Sequence, residues 1–177
     1  YFSLIASLGI TTYAVRECSA VRDDKKKLGE TASEIFSINI CTTIVAYVIL
    51  FISIILFRNL DRYRTLIIIQ STAILFTTFG ADWLNTALED FRYITIRSIV
   101  FQAISLVLMF AFVRTSEDYV KYALILVVSS SGANLANVFY RRKYCEVHFT
   151  AKMRWKVHLK PILLLFVMIM AQNIFNS

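Results

Sequence analysis

Between Gly80 and Arg97 the chain places Asp82, Asn85, Glu89, Asp90, Arg92 and Arg97, with Trp83, Phe91 and Tyr93 among them. Carboxylates and guanidiniums at this density can pair with each other, and a guanidinium left free can hold an anion through paired N–H groups. Long apolar runs flank the stretch on both sides. Its charges therefore sit at a membrane surface or face a wet interior, because hydrocarbon solvates them poorly. Arg97 has a stem long enough to snorkel; Asp82 does not. Asp82 is expected to face water or a basic partner. Glu89 and Asp90 are adjacent, point to different sides of a helix and read as solvated surface. The chain offers no nucleophile–base motif, no Gly-rich phosphate loop and no carboxylate pair in a cleft-like context.

The elements that must position these residues are membrane helices. The 177 residues are 58% hydrophobic and 18% charged, with mean hydropathy +0.62; soluble domains are less apolar and more charged. The apolar runs do not alternate with polar residues as strands of a membrane barrel do. The expected fold is all-α and integral to the membrane, a polytopic bundle. About six spans are expected, near 1–15, 35–57, 65–82, 95–113, 122–140 and 161–177, with loops 16–34, 83–94 and 141–160 on one side. The run opens at Tyr1 and closes at Ser177 inside apolar segments, so the first and last spans read as truncated and the chain as an excerpt. Pro161 is expected to open the last span, where a missing N–H costs least.

Orientation follows from charge. Fourteen of the nineteen Lys and Arg fall in 16–34, 83–97 and 141–160; the remaining five fall in 58–64 and 114–121. The positive-inside rule places the fourteen in the cytoplasm, and the net charge of +7 is topology rather than nucleic-acid binding. Cys18, Cys41 and Cys145 form no paired pattern and read as free thiols. His148 and His158 have no Cys or carboxylate at ligand spacing, so no metal site is expected. The linker 141–160, with Tyr144, Phe149 and Trp155 among its charges, has two readings: a topology-holding loop, or a helix on the anionic lipid surface.

Polar residues recur along the spans at helical spacing: Asn39, Thr43, Ala46 and Ser53; Ser71, Thr78 and Asp82; Ser98, Gln102 and Ser105; Ser130, Asn134, Asn137 and Arg141. Each set shares one helix face. Helix–helix packing accounts for the Ser and Thr positions. The amides of Gln102, Asn134 and Asn137, with Asp82 and Arg97, point instead to a shared wet cavity.

Several separated segments resemble one family. Ser7-Leu-Gly-Ile-Thr-Thr-Tyr-Ala-Val-Arg-Glu17, Val21-Arg-Asp-Asp-Lys25, Ser33-Glu-Ile-Phe-Ser-Ile-Asn39, Gly80-Ala-Asp-Trp-Leu84, Phe91-Arg-Tyr-Ile-Thr-Ile-Arg97 and His158-Leu-Lys-Pro161 are similar to bacterial polysaccharide flippases. These are the Wzx-type members of the multidrug/oligosaccharidyl-lipid/polysaccharide exporter superfamily. Thr11 and Ala14 depart from the Pro and Gly expected there, which would leave that helix end less bent. The resemblance implies helices two to seven of a twelve-to-fourteen-helix transporter in the bacterial plasma membrane. It implies export by alternating access of an undecaprenyl-pyrophosphate-linked oligosaccharide, with polysaccharide assembly proteins as further partners. A cationic cavity would suit the pyrophosphate, and by position Arg16, Arg92, Arg97 and Arg141 are its candidates. Gln102, Asn134 and Asn137 join them as cavity candidates, and Asp82 and Trp83 form a structural or gating joint. No cofactor is expected; the coupling ion is open between H+ and Na+.

Two alternatives remain: a cation-coupled multidrug exporter of the same superfamily, and a membrane polysaccharide polymerase. A polymerase usually needs a large outside loop, and both outside loops here are short. A membrane scaffold without transport would not need the stripes of Asn, Gln and Asp.

Overall fold

The computed structural model describes residues 6–7, 9–56, 64–115, 118–151 and 154–175. The helices are α1 (Ile10–Ala20), α2 (Lys25–Leu56), α3 (Arg64–Gly80), α4 (Trp83–Ala87), α5 (Phe91–Phe112), α6 (Tyr119–Tyr140) and α7 (Trp155–Phe175), with a 3-10 turn over Arg141–Lys143. No strand occurs among the described residues. Among the described residues four stretches are long and apolar enough to cross a membrane: Lys25–Leu56, Arg64–Ala87, Phe91–Phe112 and Tyr119–Lys143; Val157–Gln172 is a shorter apolar helix. Most of 58–64, expected as a short outside loop, and the first five residues of the expected opening span lie outside the described residues.

Three expectations change at the basic loops. Residues 16–34 are mostly helix rather than linker, broken only near Val21–Asp24. Asp24 restarts the helix by accepting from the backbone N–H groups of Lys26 and Lys27 at 3.1 Å, the usual work of a carboxylate at a helix start. The resulting α2 has 32 residues, about 48 Å of helix, so its basic first turns project beyond a hydrocarbon core of roughly 30 Å. Pro161 lies inside α7 rather than at its opening, the helix starting at Trp155.

The third change is in the linker 141–160. Residues 145–150 are non-helical, so this part of the linker is not the surface helix of the second reading. They make a non-helical strap along α2, where the N–H of His148 donates to Ser33 Oγ at 3.2 Å and that of Thr150 to Ser37 Oγ at 2.8 Å. Ser33 and Ser37 are buried. Two hydroxyls on the helix replace the partners that the strap's backbone lacks.

The core lies at one end. Tyr13 and Cys18 of α1, Leu28 to Ile38 of α2, Ala81 to Ala87 around α4, Cys145 of the strap and Ile162 of α7 form one buried cluster. Elsewhere the spans expose large apolar side chains such as Ile55, Val107 and Phe110, and α5 buries none of its residues. Lipid solvates such side chains as well as a protein interior does, so burial is driven hardest where water reaches.

Candidate functional site

α3 ends at Gly80, and Ala81 takes φ 46°. The single-turn α4 follows, and Glu89 takes φ 57° before α5 begins. Left-handed backbone at non-glycine residues costs roughly 1–2 kcal/mol. Here it bounds α4 on both sides, and Trp83, Leu84 and Ala87 pack into the core. This double bend turns Asp82 and Arg97 toward one another. Arg97 Nη1 donates to Asp82 Oδ1 at 2.8 Å and Nη2 to Oδ2 at 3.1 Å, a paired guanidinium–carboxylate contact.

α6 completes the network. Asn137 Nδ2 donates to Asp82 Oδ1 at 3.1 Å, and Asn137 Oδ1 accepts from Asn85 Nδ2 at 3.1 Å and from Arg97 Nη1. The Arg97 side chain is 9% exposed and that of Asp82 43%. The open part of Asp82 lines a cavity of about 750 Å³. Asn39, Ser53, Gln70, Ser71, Thr77, Thr78 and Thr86 supply polar groups to its wall, and Trp83 also lines it. Asp82 is the charged residue among its described lining.

The polar stripes divide. Those of α2 and α3 meet the cavity, and Thr43 and Thr78 join the two helices through their hydroxyls at 2.8 Å. Ser53, Ser71 and Thr78 also donate to carbonyls of their own helices, as packing hydroxyls do. Gln102 is exposed on α5. Asn134 donates to the Ser130 carbonyl of its own helix at 3.0 Å. Its side chain lies against Gly80, where a Cβ would come within 2.4 Å of Asn134 Oδ1. α3 and α6 therefore need a glycine at this crossing.

The four arginines proposed for an anion have different surroundings. Arg16 is exposed and pairs with Glu17 at 2.9 Å. Arg92 is exposed. Arg141 is buried, donates to the Phe79 carbonyl at 2.9 Å and lies 5.1 Å from the centre of the Phe36 ring. A cation suits the carbonyl end of α3. Arg97 is held by Asp82 and Asn137. None of the four lines the cavity, nor do Gln102, Asn134 and Asn137.

Two further polar centres were not singled out by the sequence. Asp90, expected to be simple solvated surface, starts α5 by accepting from the Tyr93 N–H at 3.3 Å. Its Oδ2 accepts from Tyr140 at 2.7 Å and from Tyr144. The Tyr144 hydroxyl first, then that of Tyr140, holds the Asp90 carboxyl below the usual aspartate range, and Asp90 pushes Tyr144 up. Tyr93 and Tyr140 stack with ring centres 3.5 Å apart. Glu89, by contrast, is exposed and pairs with Arg22 at 2.9 Å.

The other centre joins α1, α2 and α7. His158 Nδ1 lies 2.8 Å from the Tyr13 hydroxyl, and its Nε2 lies 2.8 Å from Glu34 Oε2. Arg154 Nε also donates to Glu34, at 3.2 and 3.1 Å. Sequence spacing places no carboxylate near His158, because its partner Glu34 is 124 residues away.

Comparison with known proteins agrees with this architecture. No curated protein and no solved structure matches the chain. A family model described as polysaccharide biosynthesis protein matches residues 1–177. With its membrane-length helices, the chain belongs to the polysaccharide biosynthesis protein family, the family of Wzx-type flippases and exporters.

Proposed function

We propose that the chain is part of a flippase that carries undecaprenyl-pyrophosphate-linked oligosaccharide units across the bacterial plasma membrane by alternating access. The observation that carries the reading is the cavity whose hydroxyl- and amide-bearing wall runs to Asp82, inside a bundle of this family. Hydroxyls and amides exchange hydrogen bonds with sugar hydroxyls, and the apolar part of the wall accepts their carbon faces. The pyrophosphate falls to the basic end, which the positive-inside rule puts in the cytoplasm. There Arg16 and Arg92 are exposed enough to reach it, and Arg97 and Arg141 shape the mouth through Asp82, Asn137 and Phe79. Asp82 and Trp83 act as the joint between α3 and α5. The work is transport rather than catalysis, with the bilayer and polysaccharide assembly proteins as partners. A proton or a sodium ion would drive it.

The test is complementation of a strain lacking surface polysaccharide by the full-length protein. Arg97→Ala is expected to lower surface polysaccharide by about tenfold or more, against little change for Arg58→Ala on the opposite side. Equal losses would remove the case for a basic mouth. A cation-coupled drug exporter is the second reading, favoured by Asp82 as the charged residue in the cavity wall. It predicts protection against toxic cations and normal surface polysaccharide.

A further inference from the structure

α5 and α6 run side by side, joined where Ser129 Oγ donates to the Phe101 carbonyl at 2.7 Å. The two ends of this pair differ in charge. At one end, 114–121 holds two basic and two acidic residues, and Lys121 pairs with Asp118 at 2.6 Å. At the other end stand Arg92, Arg142 and Lys143, all exposed. None of these three is in an ion pair among the described residues, whereas Arg16, Arg22, Lys27, Arg97 and Arg154 each have a carboxylate. Tyr93 stacks on Tyr140, which brings the start of α5, with Arg92, to the corner where α6 ends.

The cations of this corner rest on aromatic rings. The guanidinium carbon of Arg142 lies 5.6 Å from the centre of the Phe139 ring. Lys143 Nζ lies 5.6 Å from the centre of the Tyr140 ring and 5.4 Å from that of Tyr144. A ring attracts a cation without neutralising it, so the charge is placed and stays available. The opposing charge is Asp90, which is near enough to Lys143 to feel it and accepts from Tyr140 and Tyr144. Glu146, the next carboxylate along the chain, belongs to the strap, whose backbone lies beside Gly29 of α2. Three cations around Asp90 leave the corner positive.

Apolar surface leads up to it. α6 exposes Leu124, Val128, Leu135 and Phe139. Steps of four and seven put them on one helix face, a stripe about 22 Å long. Arg142 continues the stripe by lying against Phe139. One leaflet's share of the hydrocarbon core is about 15 Å, so the part of the stripe nearest Arg142 matches one acyl chain. Phe139, Tyr140 and Tyr144 stand where an aromatic belt meets the headgroups. An apolar stripe accepts any lipid tail; the cations at its end discriminate between heads.

We propose that the α5–α6 pair holds an anionic phospholipid of the leaflet at the basic end, its phosphate on Arg142 and Lys143 and an acyl chain along Phe139 and Leu135. A guanidinium can take two phosphate oxygens at once, and an ammonium adds a point charge; Arg92 adds a third charge from the neighbouring helix. The positive-inside rule puts this end at the cytoplasmic leaflet, where anionic lipids attract basic residues. The site holds its lipid whatever the bundle transports.

Photo-crosslinking tests it. The full-length protein is reconstituted in vesicles of equimolar phosphatidylcholine and phosphatidylglycerol. A trace of one lipid or the other carries a photoactivatable acyl chain, and adducts within 124–140 are measured. Phosphatidylglycerol is expected to label this stretch about fivefold more than phosphatidylcholine does, and to label 114–121 no more than phosphatidylcholine does. Arg142→Gln/Lys143→Gln, at exposed positions, brings the ratio near one, and Arg142→Lys keeps most of it. Equal labelling in the wild type, which needs no variant, overturns the proposal. So does the absence of any adduct, which would mean that another helix covers the stripe, and so does a preference that survives the double substitution. Inorganic pyrophosphate, set against chloride at the same ionic strength, separates lipid from soluble phosphate. A ratio that withstands both supports the lipid site; one that only pyrophosphate abolishes gives the cations to a free phosphate and overturns it.

Discussion

Two of the polar centres that tie the bundle at its basic end are built to different rules. At Asp82 the partners are a guanidinium and two amides, which keep one charge state at every physiological pH. At His158 an imidazole bridges a hydroxyl and a carboxylate that belong to two other helices. The first centre joins the bend after α3 to α5 and α6 and opens on the cavity. The second joins α1, α2 and α7 and opens on none of the cavity's described lining. The first centre pairs charges across the bend it holds, and the second bridges helices far apart in sequence.

The largest effect expected from breaking the contrast is at Asp82. Asp82→Leu leaves Arg97, only 9% exposed, without its counter-charge. Removing one member of a buried pair costs about 3–5 kcal/mol. Arg97→Ala should cost less, because the carboxylate it strands is 43% exposed and water can reach it. The double variant Asp82→Leu/Arg97→Leu should recover much of the stability and none of the transport. Thermal unfolding in detergent and surface-polysaccharide complementation read the two separately. A fully active double variant would reduce the network to a packing device.

Gly80→Ala attacks the same centre through the backbone. The new Cβ would meet the Asn134 side chain, so α3 and α6 must part or Asn134 must turn. Overpacking of this kind costs roughly 1–3 kcal/mol. Asn137, one turn further along α6, would shift away from Asp82. Surface polysaccharide should fall together with the unfolding temperature.

The all-helical membrane architecture was legible because apolar length reports it directly: Ile35–Phe57 has no charged residue, and α2 runs through it. Asp82 was legible too, as a short-stemmed charge at a span's end, and so was its need for a basic partner. The breaks were not. That Ala81 and Glu89 adopt left-handed backbone follows from how α4 packs on α1, which no local pattern encodes. The strap was missed because Ser33 and Ser37 satisfy its backbone from more than a hundred residues away. Asp90 read as a surface charge because its tyrosine partners Tyr140 and Tyr144 belong to a different span and its linker. Cys18 and Cys145 read as free thiols, which they are, but both are buried. Burial pushes the Cys145 thiol up. Labelling to establish sidedness is therefore better aimed at a cysteine introduced at exposed Arg92.

The smallest effect is at Asp90. Tyr144 and Tyr140 donate to an ionised Asp90, so its carboxyl lies below the ordinary aspartate range. A depressed carboxyl stabilises the fold above its unfolded-state value, near pH ~3.9, and that contribution is lost as pH falls through the folded-state value. The Tyr144 hydroxyl is raised, so its share is lost only as pH climbs above about 10. Between those limits the clamp does not respond to pH. Asp90→Asn keeps an acceptor for one hydroxyl and should cost about 1 kcal/mol near neutrality. Its unfolding temperature should also fall less steeply than the wild type's as pH drops from 5 to 3. Equal slopes for wild type and Asp90→Asn between pH 5 and 3 would remove Asp90 from the acid response.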